Sequence, residues 1–303
     1  MIYIILLHYI KYLKKIKFSY IKYVPVILHI FFKNNNFVNC DGNIENEKLL
    51  QRAKINAIKF NIKQSNRNFG IELEFIGLKS IFDKLLDVLN NNNNNWILTI
   101  DGTFIDEIDN KTYGMFELIS PILDDINKID KKVLQLHDLY VETNIKTGFH
   151  VHIDANDLTE EQIINVIISW LNVETYMDQF IAPTRRNLFN KYCQPLNMYI
   201  KNDRKYISDI LNFKIEHHIK FTKLNIIELN IFCKNKHFEF RSHEGTLNIY
   251  IIKLWTEFLR KFVDISKDTI IDNDNVDDLL REYIDLLLSK SSTYEYLFPN
   301  IWK

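Results

Sequence analysis

Three pairs of chemically active side chains stand two residues apart in the sequence, each between large apolar residues. The pairs are Glu72 with Glu74, His150 with His152, and Glu239 with Arg241. Residues two apart on a β-strand point to the same face of a sheet, so each pair shares a face. Carboxylates and imidazoles bind divalent cations, and a guanidinium binds phosphate through parallel hydrogen bonds. If the three strands lie in one sheet, one of its faces collects these groups.

The same alternation has a simpler explanation, because any antiparallel sheet with one solvent-exposed face alternates apolar and polar residues. Each pair taken alone favours that explanation. The residue types taken together favour chemistry, since exposed faces are usually rich in Thr, Lys and Ser. The row on the last strand is longer than one pair and consists of His237, Glu239, Arg241 and His243. We interpret its two histidines as surface groups or as groups that support the ligands.

The elements that must position these groups follow from hydrophobic periodicity. Strands are predicted at residues 69–75, 96–100, 113–120, 147–154, 224–233 and 236–243, with a turn at 101–103 and a loop at 182–187. Helices are predicted at residues 81–89, 126–140 and 157–180, with two more around 249–262 and 276–288. Asp157 or Thr159 is the expected N-cap of the helix over 157–180, whose Trp and Met residues belong to the core. Glu117 lies in a strand among apolar residues, where a carboxylate is costly unless it is paired, ligated or in water.

Composition limits the classes of function. The chain has 303 residues, enough for one large domain or two small ones, and a net charge of −1 that gives no general attraction to nucleic acid. It contains no glycine-rich phosphate-binding motif, so a bound nucleotide must be held by metal and side chains. The cysteines Cys40, Cys193 and Cys233 are far apart, which predicts no disulfide framework and favours the reducing cytoplasm.

Residues 1–60 are predicted to form an N-terminal extension to a domain over residues 61–303. Residues 1–40 contain no acidic residue, and lysines interrupt their apolar runs. A membrane-spanning helix needs roughly 20 consecutive apolar residues, which neither run provides. No signal-peptide pattern is evident. We favour a poorly ordered extension; contact with anionic lipid is the alternative and leaves membrane association or targeting open.

An ordered set of short motifs extends from about residue 69 to about residue 260. The motifs are FGIELEF (69–75), DGT (101–103), FELISP (116–121), GFHVHID (148–154), RRN (185–187) followed by YC (192–193), and FEFRSHEGTLN (238–248). Together they resemble the amidoligases, a family within the glutamine synthetase-like superfamily of carboxylate–amine ligases. Thr103 stands where that family frequently has a serine.

The resemblance implies an α+β fold, in which a curved, mainly antiparallel sheet carries helices on its convex face, as in the catalytic domain of glutamine synthetase. It also implies that ATP and Mg²⁺ or Mn²⁺ lie over the concave face. A carboxylate would attack the γ-phosphate to give an acyl phosphate, and an amine would then displace phosphate and form an amide. The implied partners are small-molecule or peptide carboxylates and amines.

The resemblance also implies roles for individual residues, carried over by their positions in the motifs. The implied metal ligands are Glu72, Glu74, Glu117, His150 and Glu239. The implied nucleotide contacts are His152, Arg185 and Arg241. The last two would face the phosphates and act in catalysis together with Glu117, and Arg186 competes with Arg185 for that position. Phosphoryl transfer needs mainly charge neutralisation and positioning, so this set requires no covalent nucleophile.

Two other functions use the same residues. A metal-dependent hydrolase would activate water with the Glu and His groups and would need no nucleotide. A non-catalytic nucleotide- or peptide-binding module would bind ATP without forming ADP. No Ser-His-Asp or Cys-His arrangement is apparent, and we interpret Cys193 as a small buried side chain rather than a nucleophile. The ligase interpretation predicts that the Glu and His groups converge in one cleft with Arg185 and Arg241 at its rim.

Overall fold

The computed structural model describes residues 65–78, 95–108, 111–137, 141–144, 146–186, 190–213, 220–230 and 232–281. The predicted extension over residues 1–60 and the predicted helix at 81–89 lie outside these ranges. The last predicted helix is described only over residues 276–281, which are helical. The described part is an α+β structure with a six-stranded antiparallel sheet that is not closed into a barrel.

The sheet brings the three charged pairs side by side. Its strands are β1 (Phe69–Leu78), β2 (Ile97–Ile108), β3 (Lys111–Ile119), β4 (Gly148–Asp154), β5 (Leu224–Asn225) and β6 (His237–Glu244). Their order across the sheet is β2-β3-β1-β4-β6-β5. The strands β1, β4 and β6, which carry the pairs, are therefore consecutive neighbours although they are far apart in sequence.

Helices cover the apolar face of the sheet. Besides the helical residues 276–281, the α-helices are α1 (Asp130–His137), α2 (Glu160–Met177), α3 (Pro183–Arg186), α4 (Arg204–Leu211) and α5 (Ile249–Ser266). The ring of Trp170 on α2 lies edge-on to Phe240 of β6 at 5.0 Å and to Phe262 of α5 at 5.8 Å. All three side chains are fully buried. None of the described helices is both long and apolar enough to cross a membrane.

The helix α2 begins and packs as its sequence predicts. Thr159 is its N-cap and forms a capping box with Gln162, so Asp157 is not the cap. Glu174 is an acidic residue within its buried side, and its Oε1 accepts hydrogen bonds from Trp170 Nε1 at 3.0 Å and from Leu196 N at 2.9 Å. Burial raises the pKa of Glu174.

A buried arginine joins the start of β1 to the helix α5. Arg260 is completely buried, forms an ion pair with Glu257, and donates from Nε to the carbonyl of Arg67 at 2.8 Å. It also donates to the carbonyl of Ser65, whose N–H donates to Glu257 Oε2 at 3.0 Å. These bonds satisfy both buried charges with backbone groups and fix the residues that lead into β1.

Two predicted strand boundaries are wrong. The predicted turn at 101–103 lies inside β2, whose register against β3 shifts between Asp101 and Ile105 and so accommodates the extra residues as an irregularity. The predicted strand at 224–233 ends after Asn225, because the Asn225 side chain accepts a hydrogen bond from Ile227 N and a 3₁₀ turn over Ile227–Leu229 follows.

Three helical regions also differ from the prediction at their boundaries. The region predicted at 126–140 begins with a 3₁₀ turn, Ile126–Ile129, continues as α1, and is not described over 138–140. The helix predicted at 157–180 begins at Glu160 and ends at Met177, followed by a 3₁₀ turn over Asp178–Phe180. The predicted loop at 182–187 contains the short helix α3.

The prediction that His243 shares a face with Arg241 is also wrong. Phe149 pairs with His243 and Val151 pairs with Phe240, so two residues of β6 stand opposite one residue of β4. This bulge turns the following residue to the other face. The His243 ring consequently lies on the helix side, 5.7 Å from the ring of Phe149 and 5.3 Å from that of Trp255.

Candidate active site

Glu72 is the centre of the polar face of the sheet. It stands opposite His150 on the neighbouring strand β4. Its Oε2 lies 2.9 Å from His150 Nδ1, and its Oε1 lies 3.0 Å from His152 Nε2. The alternation of β4 points both imidazoles to this face, and the register of β1 places one carboxylate between them. Each oxygen of Glu72 therefore lies against a different imidazole; the contact of Oε2 with His150 is a hydrogen bond, whereas the contact of Oε1 with His152 lacks hydrogen-bond geometry.

Two groups of three ligand atoms share Glu72. The first group is Glu72, Glu117 and His150, and the second is Glu72, His152 and Glu239. Within each group, the oxygen and nitrogen atoms lie within 4.8 Å of one another. Carboxylate oxygens with imidazole nitrogens suit Mg²⁺ or Mn²⁺ chemically. The geometry is therefore compatible with one cation in each group.

The structure brings all five predicted metal ligands onto one face, with Glu74 in a different position from the others. Glu74 Oε2 accepts a hydrogen bond from Gly148 N at 2.5 Å, and its Oε1 lies 3.5 Å from His150 Nε2. It borders the cluster but belongs to neither group of three. His152, which the resemblance implies to be a nucleotide contact, lies among the ligand atoms of the second group.

Glu239 is held at both of its oxygens. Arg241 donates from its guanidinium to Oε1, and Asn225 donates from Nδ2 to Oε2 at 2.5 Å. Asn225 was missed by the sequence reasoning, which treated its segment only as a strand. The register of β5 against β6, which places Asn225 beside Glu239, is not visible in the sequence.

The two predicted phosphate-facing arginines both carry a buried Nε with no hydrogen-bond partner among the described residues. Arg185 is 3% exposed, and its guanidinium donates to the carbonyl of Thr147, immediately before β4. A Cβ placed on Gly148 would lie 2.9 Å from Arg185 Nη2 and 2.8 Å from His150 Nε2, so this guanidinium borders the cluster. Arg186 donates from Nε to the carbonyl of Ile181 instead.

Backbone and carboxylate contacts fix the position of Arg185. The Thr147 carbonyl accepts from Gly245 N at 2.8 Å as well as from Arg185. Gly245 is required there, because a Cβ would lie 2.1 Å from Thr147 Oγ1. The buried Glu244 accepts from Ala182 N at 2.9 Å, just before α3. The end of β6, the start of β4 and α3 are thus joined around one guanidinium.

Electrostatics keep the cluster charged. Burial alone would raise the pKa of Glu72, but the close contacts with His150 and His152 outweigh it and hold that pKa well below its usual range. Burial would lower the pKa of His152, and the contact with Glu72 raises it instead. Burial likewise opposes a low pKa of Glu239, which Arg241 nevertheless keeps below its ordinary value. The carboxylates are thus in the ionised state that cation binding requires, whereas a cation would have to displace the proton that Glu72 favours on His152.

Cys193 lies next to Arg241 but lacks the character of a nucleophile. It is completely buried, as predicted, and its thiol donates to the Arg241 carbonyl with Sγ and O 3.4 Å apart. Burial raises the pKa of the Cys193 thiol, which keeps it protonated. His237, the other outer histidine of β6, lies with its ring 4.9 Å from that of His152.

The fold and the site define an α+β protein with an acidic and imidazole cluster, bordered by two arginines, on one face of an antiparallel sheet. A family model described as "Putative amidoligase enzyme" matches residues 65–263, about two-thirds of the chain. The chain belongs to this amidoligase family, which confirms the resemblance found from the motifs. The family description indicates an amide-bond-forming ligase. No curated protein matches the chain.

Proposed function

We propose that the protein is an ATP- and Mg²⁺- or Mn²⁺-dependent carboxylate–amine ligase that forms an amide bond through an acyl phosphate. The proposal includes a glutamine synthetase-like fold with the polar face on the concave side of the sheet. The observation that carries it is the meeting of two ligand groups on one sheet face with two arginines whose Nε atoms have no hydrogen-bond partner in the described part of the chain. Its substrates would be small-molecule or peptide carboxylates and amines.

The residues present fit the cations that this function needs. In the proposal, Glu72, Glu117 and His150 hold one divalent cation, and Glu72, His152 and Glu239 hold a second. Glu74, the fifth predicted ligand, stands beside these groups, where its Oε2 accepts from Gly148 N and its Oε1 faces His150 Nε2. When bound, the cations would neutralise phosphate charge and align the reacting groups. Glu117 contributes to catalysis through this ligation.

Arg185 and Arg241 supply the remaining charge. Each has an Nε–H buried without a partner among the described residues, which leaves it available to a phosphate oxygen. The substrate carboxylate attacks the γ-phosphorus as the bond to ADP breaks. The amine then attacks the acyl carbon, phosphate leaves with the electron pair of the C–O bond, and the amine loses a proton. Both arginines stabilise charge that develops on the transferred group.

The test is ADP release in the presence of Mg²⁺ over a panel of carboxylates, with hydroxylamine as a general amine that traps an acyl phosphate as a hydroxamate. We expect ADP and hydroxamate to form together. Removing one charge-stabilising group typically costs about 10²–10³-fold in rate, so Glu72→Gln and Arg241→Ala should lose at least that much. The exposed residues Glu161 and Arg281 provide matched controls as Glu161→Gln and Arg281→Ala.

The outcomes separate the three functions. Cleavage of a substrate without nucleotide would support the metal-dependent hydrolase and overturn the ligase. Binding of Mg-ATP with no ADP formed across the panel would support the non-catalytic binding module. Equal loss in the control variants would show that the assay reports folding rather than the site.

A further inference from the structure

Asn225 is a buried amide whose orientation is fixed by its two partners. It lies on β5 directly beside Glu239 of β6 and is 6% exposed. Its Oδ1 accepts a hydrogen bond from Ile227 N at 3.0 Å. Since a backbone N–H can only donate, the amide oxygen must face Ile227, and the NH₂ group must face the other way. There it donates to Glu239 Oε2 at 2.5 Å.

With this contact, both carboxylate oxygens of Glu239 accept a hydrogen bond from a side chain. Arg241 holds Oε1 and Asn225 holds Oε2, so the plane of the carboxylate is set from both sides. Glu239 Oε1 also lies 3.8 Å from His150 Nδ1, and the carboxylate belongs to the group formed with Glu72 and His152. A free glutamate side chain samples many rotamers and loses that conformational entropy when it binds a cation. A glutamate that is already fixed in one rotamer does not lose it on binding.

We propose that Asn225 is a positioning residue of the site, whose amide holds Glu239 turned toward Glu72 and His152 so that this group of ligands is assembled before a cation arrives. The inference rests on the proposed function, because it concerns the same cation. Asn225 also ends β5 through its bond to Ile227, and a purely structural role would consist of that bond alone.

Substitution by serine separates the two roles. In Asn225→Ser, the hydroxyl oxygen can still accept from the N–H two residues on, but the side chain is too short to reach Glu239. The probe is Mn²⁺ alone, titrated calorimetrically into the full chain without nucleotide. Loss of a group that orients a metal ligand typically weakens metal binding about 10–100-fold, and we expect a loss in that range with an unchanged melting temperature.

The matched control lies in the same loop. Asn230 donates to the carbonyl of Ile227 at 2.7 Å and accepts from Phe232 N at 2.9 Å, a comparable pair of local bonds without a contact to Glu239. Asn230→Ser should therefore bind Mn²⁺ like the native protein. Equal weakening in Asn225→Ser and Asn230→Ser would overturn the proposal, since it would place the effect in the loop.

A double-mutant cycle tests whether Asn225 acts through Glu239. Glu239→Gln should weaken Mn²⁺ binding, and adding Asn225→Ser to it should weaken binding no further. Native-like Mn²⁺ affinity in Asn225→Ser, or losses that multiply fully in the double variant, would overturn the positioning role. So would a melting temperature of Asn225→Ser as low as that of Asn225→Ala, which loses the bonds to both Ile227 and Glu239. If the native protein binds no Mn²⁺, the proposed cation sites fail as well, whereas native binding with an indifferent Asn225 overturns only this inference.

Discussion

An alanine at Gly148 should disable the site while leaving the fold largely intact. Gly148 is the first residue of β4, and none of the described glycines has a positive φ, so alanine meets no backbone strain there. The added Cβ would lie 2.8 Å from His150 Nε2, 2.9 Å from Arg185 Nη2 and 3.2 Å from Glu74 Oε2. The methyl group therefore meets three groups of the candidate site and no backbone atom among these nearest contacts.

The size of the effect follows from these distances. Ordinary contact begins at 3.4 Å, so the imidazole and guanidinium nitrogens must move by 3.4 − 2.8 = 0.6 Å and 3.4 − 2.9 = 0.5 Å. Overpacking costs about 1–3 kcal/mol, and replacing glycine restores about 0.4–1 kcal/mol through the unfolded chain. The net loss of at most about 2.6 kcal/mol lowers the melting temperature by about 10 °C at most. Misplacement of about 1 Å can cost about 10²-fold in rate, so we expect ADP release to fall at least about 10-fold.

The matched control is the same substitution on the neighbouring strand. A Cβ on Gly70 would meet His152 Cβ and Ser120 Oγ at 3.6 Å, which is ordinary contact. Gly70→Ala should therefore keep both Mn²⁺ affinity and ADP release. The measurements are thermal unfolding, Mn²⁺ titration and ADP release for both variants. Native-like Mn²⁺ binding and turnover in Gly148→Ala, or an equal loss in Gly70→Ala, would refute this reasoning.

Three further changes test other parts of the structure. The raised pKa of Glu174 means that its ionisation opposes folding as the pH rises. In urea unfolding, Glu174→Gln should therefore stabilise the protein, relative to the native chain, more at pH 8 than at pH 5. A stabilisation that does not change with pH would contradict this. Arg260→Met should cost about 3–5 kcal/mol, because it leaves a buried carboxylate unpaired. Arg281→Met, at an exposed ion pair, should change stability by less than about 0.5 kcal/mol. Equal losses of stability in the two variants would contradict the importance of the buried Arg260–Glu257 pair. Cys193→Ala should retain ADP release, since burial raises the pKa of that thiol; a loss as large as that of Arg241→Ala would contradict the assignment.

Period-two alternation was enough to predict the strands that carry the site. The residues of β1 and β4 differ sharply between their two faces, so the pattern fixes both the element and the direction of each side chain. The helices α2 and α5 were likewise predicted from their apolar spacing, because each covers the sheet with one side. The charged pairs could be identified for the same reason, since a strand leaves only two directions for a side chain.

What the sequence did not reveal depends on contacts between distant segments. The bulge opposite His150 adds one residue to β6, and counting by two from Arg241 therefore carries His243 to the wrong face, although Ser242 already interrupts the apolar row there. The early end of β5 depends on one bond from Ile227 N to the side chain of Asn225. The approach of Arg185 to the cluster depends on the Thr147 carbonyl, a backbone group that every residue has.

The bonds of Arg260 to the carbonyls of Ser65 and Arg67 bear on how the protein can be shortened for experiments. A truncated chain starting at Phe69 would retain every described strand and helix. It would nevertheless remove the carbonyls of Ser65 and Arg67, which accept from Arg260, and the Ser65 N–H, which donates to Glu257. A trimmed version intended for crystallisation should therefore keep Ser65, four residues ahead of the first strand.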